Sequence, residues 1–236
     1  MKYNSLVIAF IFCTCISYSQ QSNYFNRALG DDLGNNFIRP SAGQGAMGGE
    51  WFKKNDLDAN LYKTRFMQYH SKNFSKAKLN FENIAGFFRY NMYRDEMEFM
   101  RSDKIYYLVK KIGTEVKFTN SNTYGVYKNN KKLRYYKIIV DGKAGLLIKE
   151  SVRLIKGRYA RTSYQKDKLS KFEREKDAYF ISFDNIEAIQ IPKRKKDFYN
   201  LFTTKSKEVK SYVKKNKLDY KDIKELKKII KYYNAL

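Results

Sequence analysis

Tyr135-Tyr136-Lys137-Ile138-Ile139-Val140-Asp141-Gly142-Lys143-Ala144-Gly145-Leu146-Leu147-Ile148-Lys149-Glu150-Ser151-Val152 reads as a β-hairpin. Residues 135–140 are rich in aromatic and β-branched side chains, which favour strands, and 146–152 open with an apolar run. Between them, Asp141-Gly142 signals a tight turn, because glycine takes a positive φ at little steric cost.

Toward the N-terminus the same grammar repeats. Ala77, Leu79 and Phe81 alternate with Lys78 and Asn80. A turn at Glu82-Asn83 leads into a strand over 86–91. Arg94-Asp95 breaks it, and Met97 and Phe99 then alternate with Glu96, Glu98 and Met100. Residues 105–109 form a further strand. Alternation puts one face on a core and the other in water. Short strands joined by tight turns imply an antiparallel meander.

Toward the C-terminus, residues 179–183 and 188–191 read as the last strands. Pro192 stops the sheet because it has no amide hydrogen for a ladder. The period then becomes helical. Phe198, Leu201 and Phe202 share one face, as do Val209, Tyr212 and Val213. Ser206 is placed to cap the second helix. Asp219 is placed to cap a last one, with Ile223, Leu226, Ile229, Ile230 and Tyr233 on one side. Residues 193–236 hold 15 Lys+Arg against 5 Asp+Glu, a net of +10. The expected fold class is α+β: an antiparallel, strongly twisted sheet over 50–192, with basic C-terminal helices of 193–236 packed on it.

The first 50 residues differ in kind. Lys2 precedes an uncharged apolar run from Leu6 to Ile16, and Ser17 and Ser19 flank Tyr18 before Gln20. A charged start, a short apolar run and a small-x-small site make a secretory signal peptide over 1–19. The run is too short to span a bilayer, so no transmembrane helix is expected after cleavage. An uncleaved anchor or a buried helix is the alternative reading. Cys13 and Cys15 leave with the leader, so the mature chain holds neither a disulfide nor a thiolate metal site. Residues 20–49 are rich in Gly and Asn and lack helix or strand period, which predicts a flexible lead-in. Within them, 43–48 match G-x-G-x-x-G by letter, but no strand precedes the run and no phosphate-loop lysine follows.

Charge is the strongest global signal. There are 48 Lys+Arg against 24 Asp+Glu, a net of +24, or +23 without Lys2. Such a field attracts polyanions and responds to salt. For an exported chain the partners of that charge class are anionic envelope lipid, lipopolysaccharide and acidic glycan. Export argues against intracellular nucleic acid. The abundance of Lys, Asn, Ile, Tyr and Phe also fits AT-rich coding DNA, in which case the lysines are simply a solvated surface.

Two stretches carry a resemblance. Phe88-Arg89-Tyr90-Asn91-Met92-Tyr93-Arg94-Asp95-Glu96-Met97-Glu98-Phe99 is one. The ending Ser211-Tyr212-Val213-Lys214-Lys215-Asn216-Lys217-Leu218 with Tyr232-Tyr233-Asn234-Ala235-Leu236 is the other. With a leader ending Tyr18-Ser19-Gln20, they resemble uncharacterised exported proteins of Bacteroidota, over roughly 50–236. The resemblance implies an envelope or periplasmic location and one β-rich unit with a helical end. It carries no activity and no functional residues.

Catalytic machinery is sparse. His70 is the single histidine, and no G-x-S-x-G stretch accompanies it, so a Ser-His-Asp site is not indicated. A hydrogen-bonded structural role suits it better. Zinc held by several His or Cys is excluded by count, and no cofactor is indicated. Asp95, Glu96 and Glu98 are the remaining route to chemistry. On a strand Glu96 and Glu98 share a face roughly 7 Å apart, which would suit a glycosidase-like hydrolase. The alternative is a solvated face whose acids meet lysines on the next strand. Tyr90, Tyr93, Arg94 and Tyr135 are candidate binding residues, within a series of tyrosines interleaved with Lys and Arg. Exposed, they would stack rings or sit among headgroups; buried, they are sheet core. Adjacent pairs such as Tyr106-Tyr107 must face opposite ways. The functional expectation is a non-enzymatic binding or structural protein of the cell envelope. A carboxylate hydrolase and an assembly partner of an outer-membrane complex, docked through the amphipathic tail, are the alternatives.

Overall fold

The computed structural model describes residues 38–40, 56–58, 60–81, 84–162 and 164–236. The leader at 1–19, the 43–48 glycine run, the start near Trp51 and the turn at Glu82-Asn83 lie outside them.

Most of the described chain is one antiparallel sheet. Its strands are β1 (Ile38–Pro40), β2 (Ser75–Leu79), β3 (Ala85–Asn91), β4 (Glu96–Arg101), β5 (Lys104–Leu108), β6 (Glu115–Phe118), β7 (Thr123–Asn129), β8 (Lys132–Val140), β9 (Gly145–Lys149), β12 (Ala178–Ser182) and β13 (Ile189–Gln190). Between β9 and β12, β10 (Val152–Ile155) and β11 (Lys171–Arg174) form a separate two-stranded ribbon. Across the large sheet the order is β1-β5-β4-β3-β2-β6-β7-β8-β9-β12-β13, eleven strands. The meander therefore runs outward from β2 to β5, returns to pair β6 on the other side of β2, and runs outward again.

Tight turns set these registers. Ser102-Asp103 joins β4 to β5 and Asn130-Lys131 joins β7 to β8, all four with positive φ. Two positive-φ residues are what a type I′ hairpin turn requires. The Asp141-Gly142 turn is also present, with Gly142 at φ 142°. A Cβ there would fall 2.6 Å from the Asn234 amide, so only glycine fits.

Expectation and structure differ in several places. Residues 146–152 are not one strand. The chain leaves the sheet after Lys149 and starts the β10–β11 ribbon at Val152. Strands β6 and β7 have no counterpart in the sequence reading: β6 alternates over only four residues, Glu115-Val116-Lys117-Phe118, and β7 does not alternate cleanly. Ile38–Pro40 pairs with β5 at the sheet edge, within the stretch read as a loop. Backbone pairing at an edge needs no side-chain period, and Pro40 ends the strand, where its missing donor does no harm.

The sheet curls strongly. Tyr90 on β3 and Tyr135 on β8 have ring centroids 5.9 Å apart, although β2, β6 and β7 lie between their strands. In a flat sheet β3 and β8 would be about 19 Å apart. The curl encloses a core of Phe88, Tyr90, Met97, Phe99, Val116, Tyr124, Val126 and Tyr135, which Leu61, Val152 and Phe172 also join.

Three helices follow β13: α2 (Lys195–Asn200), α3 (Ser206–Lys215) and α4 (Ile223–Asn234), after a single-turn α1 at Leu61–Thr64. Phe198, Phe202, Val209, Leu226, Ile229 and Ile230 pack with Val140, Leu146 and Ile181 of the sheet. The apolar stripe of α4 is thus packed inside the fold, with its lysines on the outward face. Asn234 fastens its end. Its Oδ1 accepts from Ala144 N at 2.7 Å and its Nδ2 donates to Ala144 O at 3.0 Å. The caps are also corrected. Ser206 is the first helical residue rather than a cap. Asp222, not Asp219, caps α4, accepting from the amides of Lys224 and Glu225. Asp219 instead turns the preceding loop through Lys221 N at 2.9 Å. Among the described residues no helix is long and apolar enough to cross a membrane.

Candidate functional site

Tyrosines on facing parts of the curled sheet meet in its centre, and each brings a polar tip that needs a partner. Two ionic clusters supply those partners. Tyr90 and Tyr124 lie between them, with ring centroids 4.9 Å apart.

The first cluster is built on Asp95, in the β3–β4 turn at φ 55°. Aspartate tolerates this left-handed conformation better than most residues. Its Oδ1 accepts from Tyr90 OH at 2.8 Å and Tyr135 N at 3.2 Å, and also binds the Lys149 ammonium. Lys110 reaches Oδ2 at 3.1 Å. Lys149 spends its other donors on Tyr90 OH at 2.7 Å and Tyr135 O at 3.1 Å. Burial pushes the Lys149 pKa down, and Asp95 offsets part of that. Burial and the Asp95 charge push the Tyr90 phenol well up.

The second cluster is built on Glu150, just beyond β9. Oε1 lies 3.0 Å from His70 Nδ1 and accepts from Arg174 at 2.8 Å. Oε2 accepts from Tyr124 OH at 2.5 Å. Burial alone would raise this carboxyl. The hydrogen bonds from His70, Tyr124 and Arg174 outweigh it and bring the pKa down to about 2. The other ring nitrogen of His70 lies 3.4 Å from the Asn122 amide. It borders a small cleft of about 10 Å³, also lined by Ser71, Asn73, Ser75 and Asn120. A carboxylate-held imidazole is half of a nucleophilic site. Here the cleft-facing nitrogen meets an amide, and Ser71 Oγ donates to Asn73 O at 3.1 Å. The cluster ties Glu150 to His70, Tyr124 and Arg174, and His70 is hydrogen-bonded within it.

The sequence-based candidates separate. Arg89 and Tyr90 are neighbours on β3 and so face opposite ways. Tyr90 binds Asp95, while Arg89 binds Glu98 through Nε at 3.0 Å and Nη2 at 2.5 Å. Asp95 and Glu98 therefore do not flank one cleft. Nor is Glu98 on a solvated face: it is buried, and the Tyr69 and Phe74 rings lie 3.7 Å and 4.3 Å from the Arg89 guanidinium. Glu96 is half-buried at the start of β4, and it shares a face with Glu98 as expected. In this arrangement Asp95 is paired with Lys149 and Lys110, and Glu98 with Arg89.

The binding candidates also separate. Tyr90 and Tyr135 are 2% and 0% exposed and belong to the core. Adjacent Tyr135 and Tyr136 are both buried because the sheet is covered on both sides there. Tyr135 joins the enclosed core, and Tyr136 joins a cluster with Tyr127, Leu147 and Phe180. Arg94 is held through its guanidinium, which donates to Tyr107 OH at 3.1 Å. Tyr93 and Arg94 are both exposed, the Tyr93 ring edge-to-face on Phe172 at 5.1 Å. The residues that sequence reasoning missed are Glu150, Lys149 and Arg174. Their only signal was a charged pair closing the apolar run Gly145-Leu146-Leu147-Ile148.

Comparison of the chain with protein-family models, curated proteins and solved structures found no match.

Proposed function

We propose that the chain is an exported, non-enzymatic binding or structural protein of the cell envelope that contacts an anionic component through its basic surface. The observation that carries this reading is how its charges are divided. The buried and half-buried acids are paired within the fold: Asp95 with Lys149 and Lys110, Glu98 with Arg89, and Glu150 with Arg174. The lysine excess instead faces water. On α3 and α4, Lys207, Lys210, Lys214, Lys224, Lys227 and Lys231 are all exposed, opposite the buried stripe. Such a surface is a long-range attractor for polyanions, weakened as salt shortens the Debye length. The leader read in residues 1–19 and the resemblance to exported proteins of Bacteroidota support an envelope location.

Co-sedimentation with vesicles tests the reading. Binding to vesicles containing phosphatidylglycerol or lipopolysaccharide, lost between about 0.05 and 0.5 M salt and absent with phosphatidylcholine alone, is the expected outcome. Equal, salt-insensitive retention on both kinds of vesicle would remove the idea.

A further inference from the structure

The described residues between 156 and 169, namely 156–162 and 164–169, extend the β10–β11 ribbon into an arm. It is a built element. Arg158 N donates to Lys168 O at 2.8 Å and Lys168 N to Arg158 O at 2.9 Å. Asp167 Oδ1 accepts from Ala160 N at 2.7 Å, and Gln165 N closes the tip on Thr162 O at 3.1 Å. The base is anchored to the body, since Ser170 N donates to Leu57 O at 2.7 Å and Phe172 N to Thr64 Oγ1 at 3.2 Å. Gly157 permits this close approach, because a Cβ there would sit 2.7 Å from Lys168 O and 2.9 Å from Leu57 Cβ.

Composition sets the arm apart. Tyr159, Tyr164 and Leu169 are 60%, 101% and 44% exposed, three large apolar-bodied residues within eleven positions. No other eleven-residue stretch of the described chain holds more than two such residues, and scattered ones need no explanation. Around them Lys156, Arg158, Arg161, Lys166 and Lys168 are exposed. The single acid of the segment, Asp167, spends a carboxylate oxygen on the backbone of the arm. Amphipathic rings beside long cationic side chains match a headgroup layer. Tyrosine rings settle at the apolar boundary while ammonium and guanidinium groups meet phosphates.

From the arm's fixed shape, exposed tyrosines and unbalanced positive charge, we infer that residues 156–169 form a membrane-contacting finger that inserts between the phosphate-bearing headgroups of an anionic bilayer. This rests on the proposed binding to anionic envelope components and names the element and the headgroup chemistry. The test uses the full chain carrying Tyr164→Trp, with Trp51→Phe so that one indole reports. Vesicles of phosphatidylcholine with 30% phosphatidylglycerol should shift its emission to the blue and protect it from iodide; pure phosphatidylcholine should do neither. A second variant, Y159S/Y164S/L169S, should keep the wild-type thermal midpoint and bind the anionic vesicles on the order of tenfold more weakly. Binding without a blue shift, at wild-type strength in the triple variant, would overturn the finger and leave the broader reading standing. Loss of all vesicle binding by the wild-type chain would overturn both. An emission change with a single-stranded oligonucleotide but none with vesicles would replace the lipid with nucleic acid and overturn the inference.

Discussion

Replacing Glu150 by Gln keeps its shape and removes its charge from a site where His70, Tyr124 and Arg174 all point at it. The carboxyl pKa lies at about 2 in the fold, against an ordinary value of 4.5. At pH 7 that difference is worth about 3 kcal/mol of folding stability, at 1.36 kcal/mol per unit. A depressed carboxyl stabilises above its unfolded pKa, and the contribution fades as pH falls through the folded one. By pH 3 only about 1 kcal/mol remains. Urea denaturation of wild type and E150Q at both pH values gives the comparison. E150Q should be about 3 kcal/mol less stable at pH 7, within the range seen when one member of a buried pair is removed. The gap should narrow by about 2 kcal/mol at pH 3. A gap under 1 kcal/mol at pH 7, or one indifferent to pH, would refute the account of Glu150 as the charged hub of its cluster.

Other perturbations probe other layers. Deleting 193–236 strips Val140, Leu146 and Ile181 of the Phe198, Phe202, Leu226, Ile229 and Ile230 side chains packed with them. At about 1.5–3 kcal/mol for each buried side chain, the loss rivals the whole stability of a domain; the truncated chain should lose its cooperative melt and precipitate. Asp222→Ala removes the α4 cap and should cost about 1 kcal/mol, whereas Asp219→Ala should cost less, read from thermal midpoints. The Tyr136 hydroxyl is buried with no hydrogen-bond partner among the described residues. Tyr136→Phe should therefore be neutral or raise the midpoint slightly, because nothing is lost and one desolvated group is removed.

Much of the sheet was legible because it obeys local rules. Alternation over residues 96–100 and the turn at Asp141-Gly142 each needed only a short window. The helical tail was legible for the same reason, although its caps were misplaced by a few residues, since several Ser and Asp residues compete for each start. The enclosed tyrosines were harder. A residue such as Tyr135 has the same neighbours in sequence whether it faces solvent or meets a strand far across the sheet. Only the curl decides, and curl belongs to the whole sheet. The ionic clusters were hidden for that reason too. Asp95 and Lys149 are 54 positions apart, and nothing near either one names the other. The basic arm escaped notice because its tyrosines stand out only once their neighbours are known to be buried elsewhere.

Strand β2 has one consequence for assembly. Its partner on one side, β3, follows it directly, but its partner on the other, β6, arrives only after β3, β4 and β5 have been laid down. Until Ala77 and Leu79 meet Phe118 and Val116, the chain consists of two separate stacks of hairpins, each with a raw flank. Unpaired flanks recruit strands from other molecules, and joining them waits on closing a long loop. The interval before this seam zips shut is when the polypeptide is most exposed to self-association, and the residues that line the seam govern how long that interval lasts.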